Sequence, residues 1–219
     1  MAADKAPSLT DEQLSLAWQS ASLLIGYPDA GLLAQAPLLR TASAGLPDDV
    51  GGLLRGFIDH LESTPLPELA ADYVETFDHR RRCCLYLTYF AHGDTRKRGV
   101  ALLAFKQEYE RAGLTLTPDE LPDHLSVVLE FGATADVRTA WQLLIDHRAG
   151  LELLRMSLRD SGSPWAEVIE AVTATLPPLR GDEREAVMRL VAAGPPEEEV
   201  GLEPFAPPEY MPTARSGRA

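Results

Sequence analysis

The sequence predicts an all-α fold, a single compact multi-helix globule or bundle followed by a disordered C-terminal tail. Three observations carry that prediction. Apolar residues recur at three- and four-residue intervals in segment after segment. Short connections rich in Gly and Pro separate these segments, with no internal repeat. A hydrophobic fraction of 45% over 219 residues is enough to fill one sizeable core. The expected divisions are a flexible N-terminus over 1–9, a helical domain over 10–193 and an acidic, Pro-rich tail over 194–219.

Thr10 and Gln13 have capping-box spacing, and Leu14, Trp18, Ala21 and Ile25 then share a helical face until Gly26, Tyr27 and Pro28. Asp29 to Ser43 reads as a helix interrupted at Pro37, because an interior proline removes a backbone donor. Pro47 to Glu62 places Val50, Leu54, Ile58 and Leu61 on one side. Thr64-Pro65-Leu66-Pro67 marks a turn, and Glu68 to Phe77 a short helix. Cys83 to Phe90 is apolar and aromatic, and fits strand or helix by pattern alone.

Asp94 or Thr95 caps a helix carrying Leu102, Phe105, Tyr109 and Ala112, which Gly113 ends. Thr117, Pro118 and Glu120 signal a helix start, with Pro122 forcing an adjustment before Leu125 to Phe131. Asp136 to Leu158 gives the clearest helical stripe, through Val137, Trp141, Leu144, Ile145, Leu151, Leu154 and Leu158. Ser163 and Pro164 open Trp165 to Leu176, and Asp182 with Glu185 opens a last helix to about Val191. Beyond Gly194 the chain is mostly Pro, Glu and Gly, too poor in apolar residues to offset the entropy of ordering.

A net charge of -13 disfavours non-specific contact with nucleic acid or an anionic membrane. Eight of the 20 Lys and Arg residues nevertheless lie between Arg80 and Arg111, so this stretch is a candidate contact surface. The polar opening residues Met1 to Ser8 and the interrupted apolar runs predict a cytoplasmic protein without stable membrane association. Cys83 and Cys84 are adjacent, a geometry that resists disulfide formation, and are expected as reduced thiols.

The sequence contains no glycine-rich phosphate loop, nucleophile elbow or His-Glu-X-X-His helix, and its five histidines lack paired zinc spacing. No enzymatic activity, metal site or tightly bound cofactor is therefore expected. What remains is a recognition surface. Tyr73, Phe77, Tyr86, Tyr89 and Phe90 read either as core or as the floor of a groove for an amphipathic helix. Arg80, Arg81 and Arg82, like Arg96, Lys97 and Arg98, are either solvated loop ends or forks for anions. Glu120, Pro122, Asp123 and His124 set an acid and an imidazole at a proline bend; Asp123 either caps the next helix or orients His124 and raises its pKa.

Three blocks then carry a resemblance: Tyr73-Val-Glu-Thr-Phe-Asp-His-Arg-Arg-Arg-Cys-Cys-Leu-Tyr-Leu-Thr-Tyr-Phe90, Gly93-Asp-Thr-Arg-Lys-Arg-Gly99 and Glu120-Leu-Pro-Asp-His-Leu-Ser-Val-Val-Leu-Glu-Phe131. The sequence resembles the NarJ-type nitrate reductase assembly chaperones, the delta-subunit family, loosely from about Leu14 to Val191. That resemblance implies an all-helical chaperone. It would bind the apo catalytic (alpha) subunit of respiratory nitrate reductase, alone or in its alpha–beta complex, through an N-terminal peptide. It would support insertion of molybdenum cofactor and iron–sulfur clusters before membrane docking, with cofactor-biosynthesis proteins as further partners.

Glu120, Pro122, Asp123 and His124 match the family segment that lies near the peptide site. The expected client contacts are therefore Tyr73, Phe77, Tyr86 and Tyr89 in the groove, with Arg80 to Arg82 or Glu120 to His124 flanking it. Two other classes stay open: a metal or redox carrier using Cys83 and Cys84 with His92 or His124, and a helical nucleic-acid-binding regulator using the basic clusters.

Overall fold

A computed structural model describes residues 9–93, 95–117 and 120–193. Eleven α-helices occur among these residues. Helices α1 (Asp11–Leu24), α2 (Ala30–Ala44), α3 (Asp48–Ser63) and α4 (Leu66–Tyr73) run into a π-turn at Val74–Asp78 and a 3₁₀ turn at Arg81–Cys83. Then come α5 (Tyr89–His92), α6 (Arg96–Arg111), α7 (Leu125–Thr134), α8 (Val137–Asp146), α9 (Arg148–Asp160), α10 (Trp165–Ala174) and α11 (Gly181–Ala193). The described residues contain no extended strand, only one antiparallel bridge between Tyr86 and His124. The expected tail over 194–219, and all of the expected flexible N-terminus but Leu9, lie outside the described residues.

Helix α1 is the central element. It opens with the capping box read from Thr10 and Gln13 and packs on α7, α10, α2 and α3. Trp18 is fully buried, and its indole N–H donates to Thr175 Oγ1 at 3.0 Å, so the large ring enters the core without an orphaned donor. Gly132 of α7 makes this crossing close: a Cβ there would sit 2.6 Å from both Trp18 and Ala140. On the other side Phe57 and Trp165 pack ring to ring at 5.5 Å where α3 meets α10.

Several boundaries differ from the sequence expectation. Pro37 does not interrupt α2, which is continuous to Ala44. Leu32, Ala36, Leu39 and Ser43 are buried along one face, while Pro37 is exposed on the other, so its ring stays out of the packed interior. The prolines at 65 and 67 begin α4 rather than only turning the chain, since proline is tolerated in a first turn. Thr117 and Glu120 do interact, through Thr117 Oγ1 donating to the carboxylate at 3.0 Å, but neither is helical and the helix begins at Leu125.

The stripe from Asp136 to Leu158 divides into α8 and α9 at His147, which leaves helical geometry at φ -107°, ψ 18°. Its ring Nδ1 lies 2.9 Å from the Leu143 carbonyl. After the bend, Gly150 meets the Phe90 ring, whose Cδ2 would be 2.7 Å from any Cβ. Leu151, Leu154 and Leu158 then return to the core. A charge network runs along α9, where buried Glu152 accepts from Arg148 and Arg155 at 2.9 and 2.7 Å, and reaches α10 through Arg159 and Glu170 at 2.8 Å. Among the described residues no helix is long and apolar enough to cross a membrane.

Candidate functional site

The Cys83 to Phe90 segment is helical only at its ends, in the 3₁₀ turn that closes at Cys83 and in α5 from Tyr89; between them, residues 84–88 spend backbone groups on the segment preceding α7. Leu87 N–H donates to the Asp123 carbonyl at 3.0 Å, and Leu125 N–H donates to the Leu85 carbonyl at 2.8 Å. These two bonds clasp the chain around 85–88 against 123–125 and set Tyr86 beside His124, with ring centroids 5.1 Å apart, edge to face.

Asp123 locks the clasp. Its side chain is completely buried, and Oδ2 accepts from Thr88 N–H at 3.2 Å and Thr88 Oγ1–H at 2.5 Å. The Arg98 guanidinium lies 3.7 Å away and stacks over the Tyr86 ring at 5.2 Å from its centroid. Asp123 is therefore not the helix cap. His124 occupies that position, its Nδ1 accepting from Ser126 N–H at 3.3 Å. Nor is the imidazole pKa raised: burial lowers it and outweighs the opposing pull of Asp123. The neutral ring is thus held between Tyr86 and Ser126, whose Oγ lies 2.6 Å from Nδ1.

The other expected contacts divide between surface and core. Tyr89 is 7% exposed and Pro122 is buried, its carbonyl accepting from Tyr109 O–H at 2.6 Å. Neither side chain is open to a partner in this conformation. Tyr73 is half-buried among Tyr27, Phe77 and Trp165, with centroids 5.4, 4.7 and 5.7 Å away. Its hydroxyl donates to the Ile25 carbonyl at 3.2 Å, and burial, aided by Asp78 and Tyr86, pushes its pKa up to about 12. Tyr86 and Asp78 thus both act on Tyr73, and Asp78 acts on Tyr86 as well.

Between these tyrosines run Arg80, Arg81 and Arg82, all exposed. Arg80 reaches Glu75 at 3.3 Å. The result is a surface in which half-buried aromatic rings at 73, 77 and 86 border a cationic loop. Glu120 is exposed and stands apart, on the rim of a recess of about 200 Å³ with Tyr109, Leu116 and Val127.

Sequence reasoning missed Thr88 and did not join Arg98 or Tyr109 to this site, though all three hold the clasp from outside the quoted acidic segment. The available signal was Arg98 in the basic block, which pattern alone could not distinguish from a solvated arginine. As for metal chemistry, no group of three or more His, Cys, Asp or Glu side chains among the described residues is placed to hold an ion. Cys83 is buried, and burial raises its thiol pKa, which weakens it as a nucleophile or ligand.

Comparison with known proteins places this site in context. The family model of the nitrate reductase delta subunit matches residues 43–170. NarJ of Escherichia coli K12, a nitrate reductase molybdenum cofactor assembly chaperone, is 34% identical over 68% of this chain and 64% of its own. NarJ of Bacillus subtilis 168 is 31% identical over 76% of this chain and 90% of its own. The nitrate reductase-like protein NarX of Mycobacterium tuberculosis H37Rv is 39% identical over 72% of this chain, which spans only 24% of that longer protein. A solved structure from Archaeoglobus fulgidus, described as a candidate redox enzyme maturation protein, shares the fold with TM-score 0.54 and 24% identity, over 78% of this chain and 96% of that one.

Proposed function

We propose that this chain, which belongs to the nitrate reductase delta subunit family, is a non-catalytic assembly chaperone for nitrate reductase. It acts before the enzyme receives its molybdenum cofactor. The observation that carries this reading is the clasp, in which a fully buried Asp123 fixes Tyr86 and His124 side by side next to Arg98, a few residues along the chain from the exposed Arg80–Arg82 loop. All of these residues fall inside the 43–170 family match. A surface of fixed aromatic rings with a cationic edge suits a short amphipathic helix whose apolar face meets the rings and whose anions or carbonyl end meet the arginines.

The finer reading is that the client is the apo catalytic subunit, held by its N-terminal peptide. Tyr73, Phe77 and Tyr86 provide apolar contact, His124 accepts or donates one hydrogen bond, and Arg80 to Arg82 contribute charge. Asp123, Pro122 and Tyr89 serve as internal supports, with Glu120 at the margin. A reusable chaperone needs modest affinity and fast release, which a few half-buried rings on a surface can provide. Support for molybdenum cofactor and iron–sulfur insertion follows if the client is held open in the cytoplasm until loaded.

The test is co-purification. The full chain is expressed with the catalytic subunit in cells unable to make molybdenum cofactor, and again in cofactor-sufficient cells. Stable co-elution with the apo-subunit and loss of it with the loaded enzyme is the expected result. Equal binding to both, or to neither, would overturn the proposal.

A further inference from the structure

Where α9, α10 and the first turn of α11 meet, a recess of about 380 Å³ is lined by three arginines, Arg148 and Arg155 of α9 and Arg184 of α11. Arg148 is the buried one, 6% exposed. Its Nε donates to Glu152 Oε1 at 2.9 Å, and its Nη2 lies 2.8 Å from that same oxygen and 3.5 Å from the Thr173 carbonyl. Nη1 is also buried, and it has no acceptor among the described residues. A charged donor left unmet in the interior is unfavourable, so an acceptor brought in from outside gains more here than it would at a solvated arginine.

Two carboxylates share the lining, and both are already engaged. Glu152 receives Arg148 on one oxygen and Arg155 Nε on the other, the latter at 2.7 Å. Glu170 Oε1 lies 3.7 Å from Arg155 and 2.8 Å from Arg159, which stands outside the lining. Arg184 is exposed and pairs with no carboxylate among the described residues. The recess therefore keeps a positive excess, and its uncommitted donors sit on two different helices. A carboxylate ligand offers two oxygens in one plane, whereas a phosphate offers three in different directions, which suits guanidinium forks arriving from separate elements. Ala174 and Leu179 add a stretch of apolar wall. The volume falls within the roughly 300–1,000 Å³ of small-molecule sites, which leaves room for the organic part of an ester.

We propose that this recess binds a phosphate dianion, free or as a small phosphate monoester, through Arg148 Nη1, Arg155 and Arg184. Helix α11 packs on α9 and, among its described side chains, buries only Val187. A phosphate held between Arg184 and the α9 arginines ties the two helices together and closes a weakly anchored element. The proposal does not depend on nitrate reductase as client.

The test is calorimetric titration of the full chain with inorganic phosphate, phenyl phosphate and acetate, at one ionic strength and about pH 7.5, where phosphate is mostly dianionic. Saturable one-to-one binding of either phosphate is expected, weakened about 10- to 100-fold by Arg184→Gln, the range for one charge-assisted hydrogen bond. Arg184 is exposed, so this variant tests the site without disturbing the buried Arg148–Glu152 pair. Equal affinity for the two phosphates identifies the phosphate group as the whole ligand, and tighter binding of phenyl phosphate identifies a monoester. Hydrogen exchange locates the site: the amides of 185–190 should slow by up to about 100-fold at a ligand concentration about 100 times Kd. No saturable binding, acetate binding as tight as phosphate, affinity indifferent to Arg184→Gln, or protection absent from 185–190 would overturn the proposal.

Discussion

Replacing Asp123 by alanine is the perturbation for which the geometry makes the firmest claim. Asp123 Oδ2 accepts from both the backbone and the hydroxyl of Thr88, at 3.2 and 2.5 Å, with Arg98 at 3.7 Å and no exposure to water. A hydrogen bond to a charged group contributes about 1.5–3 kcal/mol, and a buried donor left unmade costs about 1–3 kcal/mol. Stranding the partner of a buried charge costs about 3–5 kcal/mol in all, and these contributions overlap rather than add. Asp123→Ala should therefore lose about 3–5 kcal/mol of unfolding free energy, a large share of the ~5–15 kcal/mol typical of a folded domain.

Asp123→Asn keeps one acceptor for Thr88 and should lose about 1–2 kcal/mol. Urea unfolding followed by far-ultraviolet circular dichroism measures both, and the midpoint on heating should fall by roughly 6–20 °C for the alanine variant. A loss under about 1 kcal/mol for Asp123→Ala would refute the claim that this carboxylate locks the clasp.

Tyr86→Ala should weaken client-peptide binding by about 5–30-fold, the range for an aromatic anchor at an interface, while lowering the unfolding midpoint much less than Asp123→Ala does, because Tyr86 is only half-buried; calorimetry with parallel melts separates the two. Glu152→Ala should destabilise by about 3–5 kcal/mol by leaving Arg148, 6% exposed, without its carboxylate, whereas Arg148→Met with Glu152→Leu should come close to neutral; urea unfolding of both decides. His124 and His147 both have pKa values lowered by burial, so the unfolded chain takes up protons first as pH falls through about 6.5. Stability present at neutral pH is then lost progressively toward the folded-state values, and His147→Asn should flatten the midpoint-against-pH curve between about pH 7.5 and 5. Gly132→Ala should cost about 1–3 kcal/mol despite alanine's better helix propensity, since the added methyl meets Trp18 and Ala140 at 2.6 Å; thermal melts test the sign.

The helices were legible in the sequence where one physical signal acted alone. Thr10 with Gln13 started α1 as spacing predicted, and Gly113, at φ 81°, supplies the left-handed stop after α6. The reading failed where long-range contacts overrode local pattern. The exposed Pro37 costs α2 too little to break a helix whose other face is buried. Periodicity carries through His147, but Gly150 must meet Phe90 from a distant part of the chain, and that requirement bends the stripe.

The candidate site was legible as residue types but not as an arrangement. Tyr86 and His124 were singled out separately, yet their contact depends on Asp123 bonding to Thr88, a residue with no motif of its own. Asp123 resembled a cap because acids before helices commonly are caps, and only its complete burial shows a different role. Tyr89 and Pro122 belong to the same blocks as their exposed neighbours, and nothing in one sequence says which of adjacent aromatic or proline residues turns inward.

The central claim is that the face bordered by Tyr73, Phe77, Arg80–Arg82, Tyr86 and His124 receives the N-terminal peptide of the nitrate reductase catalytic subunit. Calorimetric titration of the full chain with that peptide, and with a scrambled version, tests it most directly. Saturable one-to-one binding of the native peptide alone, abolished by Tyr86→Ala with His124→Ala, is the predicted result. Equal heats from both peptides, or native binding unaffected by the double substitution, would contradict it.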